Sequence, residues 1–307
     1  MERQVRSGFA EAADGTRLYW RTIGSGPVIT CCNGVGVSTF FWKYLVEHYA
    51  DQYTVLLWDY RSHGRSDRAL DFATADLSIG RHAADLLVVL DAVGIAETLL
   101  VGHSMGCQVI LEAWHMAPDR VLGLVPMLGS AGRTLDTFMG YAGSPRIFRL
   151  ASRIVDRLGP DVHFLIRPVM ESPLAWLVAS RASLVDPYYA RKEDMLPYMR
   201  HLATLDMRVF LHSVLACQDH DLWPLLPSIR LPVLVVAAER DSFTPVWLSK
   251  QMAAQIPDAD FLLLADGSHA ALIEQPDTIY HRMDRFIADR AVFGDQAPSR
   301  SRRVRAG

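Results

Sequence analysis

The chain has 307 residues, 50% of them hydrophobic and 21% charged, with a formal net charge of −3. That is apolar material for a large core, in one domain with a sizeable insertion rather than a small module. The near-neutral balance gives no chain-wide field that would draw nucleic acid or an anionic membrane. No apolar run approaches the ~20 residues of a membrane span. The first residues lead into no stretch of signal-peptide type, so a cytoplasmic location is expected. Cys31, Cys32, Cys107 and Cys217 show neither disulfide nor zinc spacing, and Cys31 and Cys32, neighbours in a predicted buried strand, are expected to be reduced.

Residues 17–22 and 28–32 read as strands and 39–49 as a helix. Residues 53–58 form the next strand, followed by the polar turn Asp59-Tyr60-Arg61-Ser62-His63-Gly64-Arg65-Ser66. Residues 78–93 read as a helix because Ile79, His82, Ala83, Leu86, Leu87 and Leu90 recur at helical spacing, with Gly94 as the stop. A strand at 98–101, a helix at 107–116 and a strand at 122–127 follow. Buried strands without polar alternation, each followed by a helix, predict an α/β fold with a mostly parallel sheet covered on both faces.

The rhythm breaks over 133–220, which holds no convincing strand. There, Pro145, Pro160, Pro168, Pro173, Pro187 and Pro197 are expected to divide the chain into short helices. The rhythm resumes at 232–237, 245–255, 261–264 and 276–288. The expected organisation is a core of residues 1–132 and 221–295, and a helical cap of residues 133–220. The cap would lie over the carboxyl ends of the strands, where such sheets bind ligands. Residues 296–307 read as a disordered basic tail.

Gly102-His103-Ser104-Met105-Gly106 lies between an apolar strand and a helix. In that context G-x-S-x-G is a nucleophile elbow, with the serine at the tip of a sharp turn. A serine hydroxyl needs a base, and the base needs an orienting carboxylate. Asp241 follows the strand at 233–237, and His269 follows the strand at 261–264. A parallel sheet brings these strand ends to one edge, in the chain order Ser, Asp, His. Glu239 and Asp266 are the weaker carboxylate candidates. Backbone N–H groups for an oxyanion are expected from Met105 and from Val35, in the loop Asn33-Gly34-Val35-Gly36.

Each of these residues also has a purely structural role open to it. Ser104 would otherwise be a capping serine, and Asp241 a cap for the helix that begins near Pro245. His103 reads first as a packing residue and Cys107 as core. His201, His212 and His220 have no metal-site pattern.

Taken together these motifs resemble the α/β-hydrolase-fold family over roughly residues 5–290. The resemblance rests on Asn33-Gly34-Val35-Gly36 with Trp42, the turn from Asp59 to Ser66, the elbow at Ser104, Asp241 in Glu239-Arg240-Asp241-Ser242-Phe243-Thr244-Pro245, and Gly267-Ser268-His269. It implies a Ser104–His269–Asp241 triad, an oxyanion hole from Val35 and Met105, and a helical cap. Many relatives carry His-Gly where this chain has Asn33-Gly34, and Asn33 can still hydrogen-bond to orient the loop. Relatives with an aspartate nucleophile, the dehalogenases and epoxide hydrolases, are disfavoured because Ser104 holds that position.

The expected activity is hydrolysis of a small-molecule carboxylic ester or lactone, without cofactor or metal. Phe164, Leu165, Met170, Trp176, Tyr198 and Met199 are among the apolar residues that would line an acyl or ring pocket in the cap. Gly34, His103, Met170 and Trp176 are the candidate substrate contacts. Carbon–carbon hydrolysis of ring-cleavage products, acyl transfer to another acceptor, cofactor-free peroxidase chemistry and slow-turnover ligand reception remain open on the same scaffold. Oligomeric state is not legible.

Overall fold

Strand β3 (Val28–Cys32) puts neighbouring residues on opposite sides of a sheet. In the computed structural model, which describes residues 3–68, 75–159, 167–168, 172 and 191–297, that sheet has eight strands in the order β1-β2-β4-β3-β5-β6-β7-β8. These are β1 (Val5–Glu11), β2 (Arg17–Ile23), β3, β4 (Thr54–Trp58), β5 (Thr98–His103), β6 (Val121–Met127), β7 (Leu234–Ala238) and β8 (Asp260–Leu264). Strands β1 and β2 pair antiparallel, as do β2 and β4; the other pairs are parallel.

Period two sorts the core into two layers. Ile29, Cys31, Val55, Leu57, Leu99, Val101 and Val236 face helices α1 (Lys43–Tyr49) and α9 (Pro276–Asp289). Cys32, Leu56, Trp58, Leu100, Leu124 and Val235 face α2 (Ile79–Val93), α3 (Met105–Met116) and α7 (Val246–Gln255). Cys31 and Cys32 therefore point to opposite faces, and all four cysteines are free and buried. Burial raises the thiol of Cys31 well above its ordinary value and that of Cys32 to about 12.

The predicted elements fall where the periodicity puts them, within a residue or two at most ends. Helix α2 begins after Ser78, whose hydroxyl accepts the Arg81 N–H at 3.2 Å, and ends at Gly94 in the left-handed region. Two features differ from expectation. Strand β1 carries no sequence signal, because it is an edge strand exposed on both faces save for half-buried Gly8 and buried Ala10. The prolines divide the inserted segment less than expected. Pro145 lies in the first turn of α4 (Ser144–Leu158), where no intrahelical N–H is needed, and Pro197 lies inside α5 (Lys192–Leu202). Pro160, Pro173 and Pro187 fall outside the described residues, as do 298–307 of the tail.

Between β6 and β7 the chain leaves the sheet for α4, α5 and α6 (Met207–Asp219). Phe148, Ala151 and Val155 of α4 pack on Met207, Phe210 and Leu211. Gln108 of α3 ties this segment to the core, donating to the Thr134 hydroxyl and the Cys217 carbonyl, both at 3.1 Å. Helix α8 (Ala271–Glu274) lies just before α9. No helix among the described residues is long and apolar enough to cross a membrane.

Candidate active site

Ser104 sits between β5 and α3 with φ 55° and ψ −116°, a backbone conformation unusual for a residue with a side chain. The neighbouring glycines are required by space. A Cβ on Gly102 would lie 2.3 Å from the Gly106 carbonyl oxygen, and one on Gly106 would lie 2.2 Å from that of Cys32. The Ser104 N–H donates to the Met127 carbonyl at 3.0 Å, which anchors the turn to β6.

The side chains picked from three strand ends meet here. The Ser104 hydroxyl lies 3.1 Å from His269 Nε2, and His269 Nδ1 lies 2.8 Å from Asp241 Oδ2. With Nδ1 protonated, the ring donates to the carboxylate and accepts from the serine. Asp241 is buried. Burial pushes its carboxyl up, but the facing His269 and hydrogen bonds from His269 and Thr244 outweigh this and hold it below the usual carboxylate value. Asp241 does not cap the helix that begins at Val246, which has no side-chain cap; it folds the turn before it. Its Oδ1 accepts the N–H groups of Phe243 at 2.8 Å and Thr244 at 2.9 Å, leaving Oδ2 for Thr244 Oγ1 and His269. Glu239 instead accepts the Asp266 N–H at 3.2 Å, and Asp266 pairs with Arg240.

The loop that follows β3 is fixed from beneath. Asn33 Nδ2 donates to the Trp58 carbonyl at 2.8 Å, and Asn33 Oδ1 accepts the Trp42 indole N–H at 2.7 Å. Asn33 thus orients the loop as expected. Gly34 lies against the elbow: a Cβ there would be 3.0 Å from His103 Nδ1 and 3.2 Å from Ser104 Cβ. The Gly36 N–H donates to His63 Nε2 at 3.4 Å, while His63 Nδ1 donates to the Arg61 carbonyl at 3.1 Å. Burial lowers His63 to about 4, so the ring stays neutral in this arrangement. Asp59 holds the loop's far end, accepting from Ser38 Oγ at 2.6 Å and from the Thr39 N–H at 3.2 Å. Among the described residues neither the Val35 nor the Met105 backbone N–H donates to a protein acceptor.

His103 is buried, and its Nε2 donates to the His269 carbonyl at 3.0 Å. Its ring lies 4.9 Å from that of Phe41. Cys107 is buried, and burial raises its thiol well above the ordinary value, which does not suit a nucleophile. Met170 and Trp176, together with Phe164 and Leu165, lie outside the described residues. Among the described residues no group of His, Cys, Asp and Glu could hold a metal.

Sequence reading missed the residues that brace the constellation. Thr244 fixes Asp241, and Phe243 stacks on the His269 ring at 5.0 Å. Ser268 Oγ donates to Glu274 at 2.6 Å and accepts the Ala270 N–H, which locks the loop carrying His269. The spacing Asp241-x-x-Thr244 was the available signal for the first of these, since Asp accepts from its own backbone two and three residues on.

The chain belongs to the α/β-hydrolase-fold family, whose model matches residues 27–276, and it is an enzyme of the hydrolase class. It is 30% identical over 260 residues to "Putative carbamate hydrolase RutD" of Azorhizobium caulinodans, covering 85% of this chain and 91% of that one. A solved hydrolase from Pseudomonas aeruginosa PA01 superposes with a TM-score of 0.74 at 22% identity, covering 92% of this chain and 98% of that one. Est816, described as an N-acyl homoserine lactone degrading enzyme, superposes with a TM-score of 0.70 at 25% identity, covering 91% of this chain and all of that one.

Proposed function

We propose that the protein is a serine hydrolase that cleaves a carboxylic ester, or a lactone, with an apolar acyl or cyclic part. The reading rests on one observation, the relay Ser104 Oγ–His269 Nε2 at 3.1 Å and His269 Nδ1–Asp241 Oδ2 at 2.8 Å. Ser104 attacks the carbonyl carbon while His269 takes its proton. The tetrahedral oxyanion is held by the N–H groups of Val35 and Met105. His269 then protonates the leaving alcohol, and the acyl-enzyme forms. Water, deprotonated by His269, releases the acid and restores Ser104. Asp241 keeps His269 in the required tautomer and stabilises the imidazolium. Residues 133–220 act as the cap. Rings close to the site, Phe243 on His269 and Phe138 at 4.6 Å from Phe243, favour an apolar substrate.

A second reading is favoured by the relative named for carbamate hydrolysis, since the same acyl-enzyme route would open a carbamate. A panel of p-nitrophenyl esters of graded chain length, lactones and carbamates separates the two. The ester reading expects kcat/KM to rise with acyl length, then fall when the pocket is full. Turnover of carbamates alone would replace it with the second reading.

A further inference from the structure

We propose that helix α4 is a docking face for an anionic lipid bilayer. Its outer side carries Ile147, Leu150, Ile154 and Leu158, with exposures of 56, 58, 48 and 55%. Their spacing places them in one stripe along the helix. The adjoining flank, Phe148, Ala151 and Val155, packs on α6, and the exposed stripe is not part of that contact. A row of arginines runs beside it, since Arg146, Arg149, Arg153 and Arg157 each precede one residue of the stripe and are exposed. Arg149 pairs with Asp219, whereas Arg146, Arg153 and Arg157 have no ion pair among the described residues. The acid on the helix, Asp156, accepts from His212 at 3.0 Å.

An apolar stripe beside a row of exposed guanidiniums, three of the four without an ion pair among the described residues, matches a headgroup boundary, where the alkyl groups enter the acyl region and the cations meet phosphate. A second copy fits less well. Two-fold pairing on this stripe would bring two rows of guanidiniums, Arg149 alone of each already paired, onto one interface. The chain-wide charge of −3 conceals this local field. The helix also reaches the candidate site. Phe148 lies 5.4 Å from Phe138, which stacks edge-on to Phe243, which covers His269. A bilayer bound at α4 would therefore hold apolar substrate close to the candidate site.

The test is co-sedimentation of the full chain with vesicles of phosphatidylglycerol and phosphatidylcholine, and with vesicles of phosphatidylcholine alone. The protein should partition onto the anionic vesicles, much less onto the neutral ones, and salt should weaken the binding. The triple variant Arg146→Glu, Arg153→Glu, Arg157→Glu should lose about a hundredfold in partition. The variant Ile147→Ser, Leu150→Ser, Ile154→Ser should lose roughly tenfold or more. If the serine variant does not fold, the glutamate variant and the salt titration decide. Absence of binding to anionic vesicles, or equal binding by the glutamate variant, overturns the proposal. So does a dimer that the serine variant dissolves without vesicle binding, which would assign the face to a second copy. The readout does not involve turnover, so it stands apart from the reading of Ser104.

Discussion

The imidazole of His103 donates a 3.0 Å hydrogen bond to the backbone carbonyl of His269. The residue before the candidate nucleophile therefore holds the residue that would activate it. Burial lowers His103 to about 3, so it remains a neutral donor through the working pH range. His103→Phe should lower kcat about tenfold, the worth of one buried hydrogen bond, with a smaller change in KM. The position of the acid limb of the pH–rate profile should stay put, because His103 does not titrate there. A limb that moves in the variant would show that His103 takes part in the proton transfer itself.

Asp241→Asn tests the orienting carboxylate. The amide favours the wrong tautomer of His269, and kcat should fall by ~10⁴ while the fold is kept. If this variant is nearly active and Glu239→Gln is dead, the carboxylate has been assigned wrongly.

Gly34 and Gly106 should separate activity from folding. Gly106→Ala drives a Cβ to within 2.2 Å of the Cys32 carbonyl oxygen and should cost about 3 kcal/mol or more, read from chemical denaturation. At Gly34 the added Cβ meets His103 Nδ1 at 3.0 Å and Ser104 Cβ at 3.2 Å, a tight approach that a shift of a few tenths of an ångström relieves at the expense of the elbow's geometry. Gly34→Ala should therefore fold and lose most of its turnover. Equal melting temperatures for the two variants would contradict this division.

His82 predicts the acid stability. It is fully buried on the Tyr60 ring, with neither nitrogen hydrogen-bonded among the described residues, and burial lowers it to about 3. The unfolded chain binds the proton near the ordinary histidine value and the folded chain does not. Stability is then unaffected above about pH 6.5 and falls as pH drops toward 3. His82 alone should cost about 2 kcal/mol at pH 5, with His63 and His103 adding similar losses. His82→Phe should flatten part of that slope and raise Tm at pH 5. An unchanged slope would mean that His82 finds a proton acceptor.

Much of this architecture was legible from periodicity and turn chemistry. Buried parallel strands, the Gly94 helix stop and the strand-end placement of Ser104, Asp241 and His269 are local signals. A parallel sheet converts them into proximity. Edge strand β1 was not legible, because its residues are mostly exposed and carry no buried alternation. The bracing by Thr244, by Ser268 with Glu274, and by His63 under Gly36 depends on which side chains face each other across loops. Proline was overread as a breaker, since Pro145 suits the first turn of α4. The arginine row beside an exposed apolar stripe was hidden in a net charge that averages over the whole chain.

Whether Ser104 is the nucleophile is decided by reacting the protein with a fluorophosphonate and mapping the adduct by peptide mass spectrometry. One stoichiometric adduct should form, on Ser104. In Ser104→Ala the adduct should be absent and ester turnover should fall by ~10⁴ or more, with the melting curve unchanged. An adduct on another residue, or near-wild-type turnover by Ser104→Ala, would contradict that role.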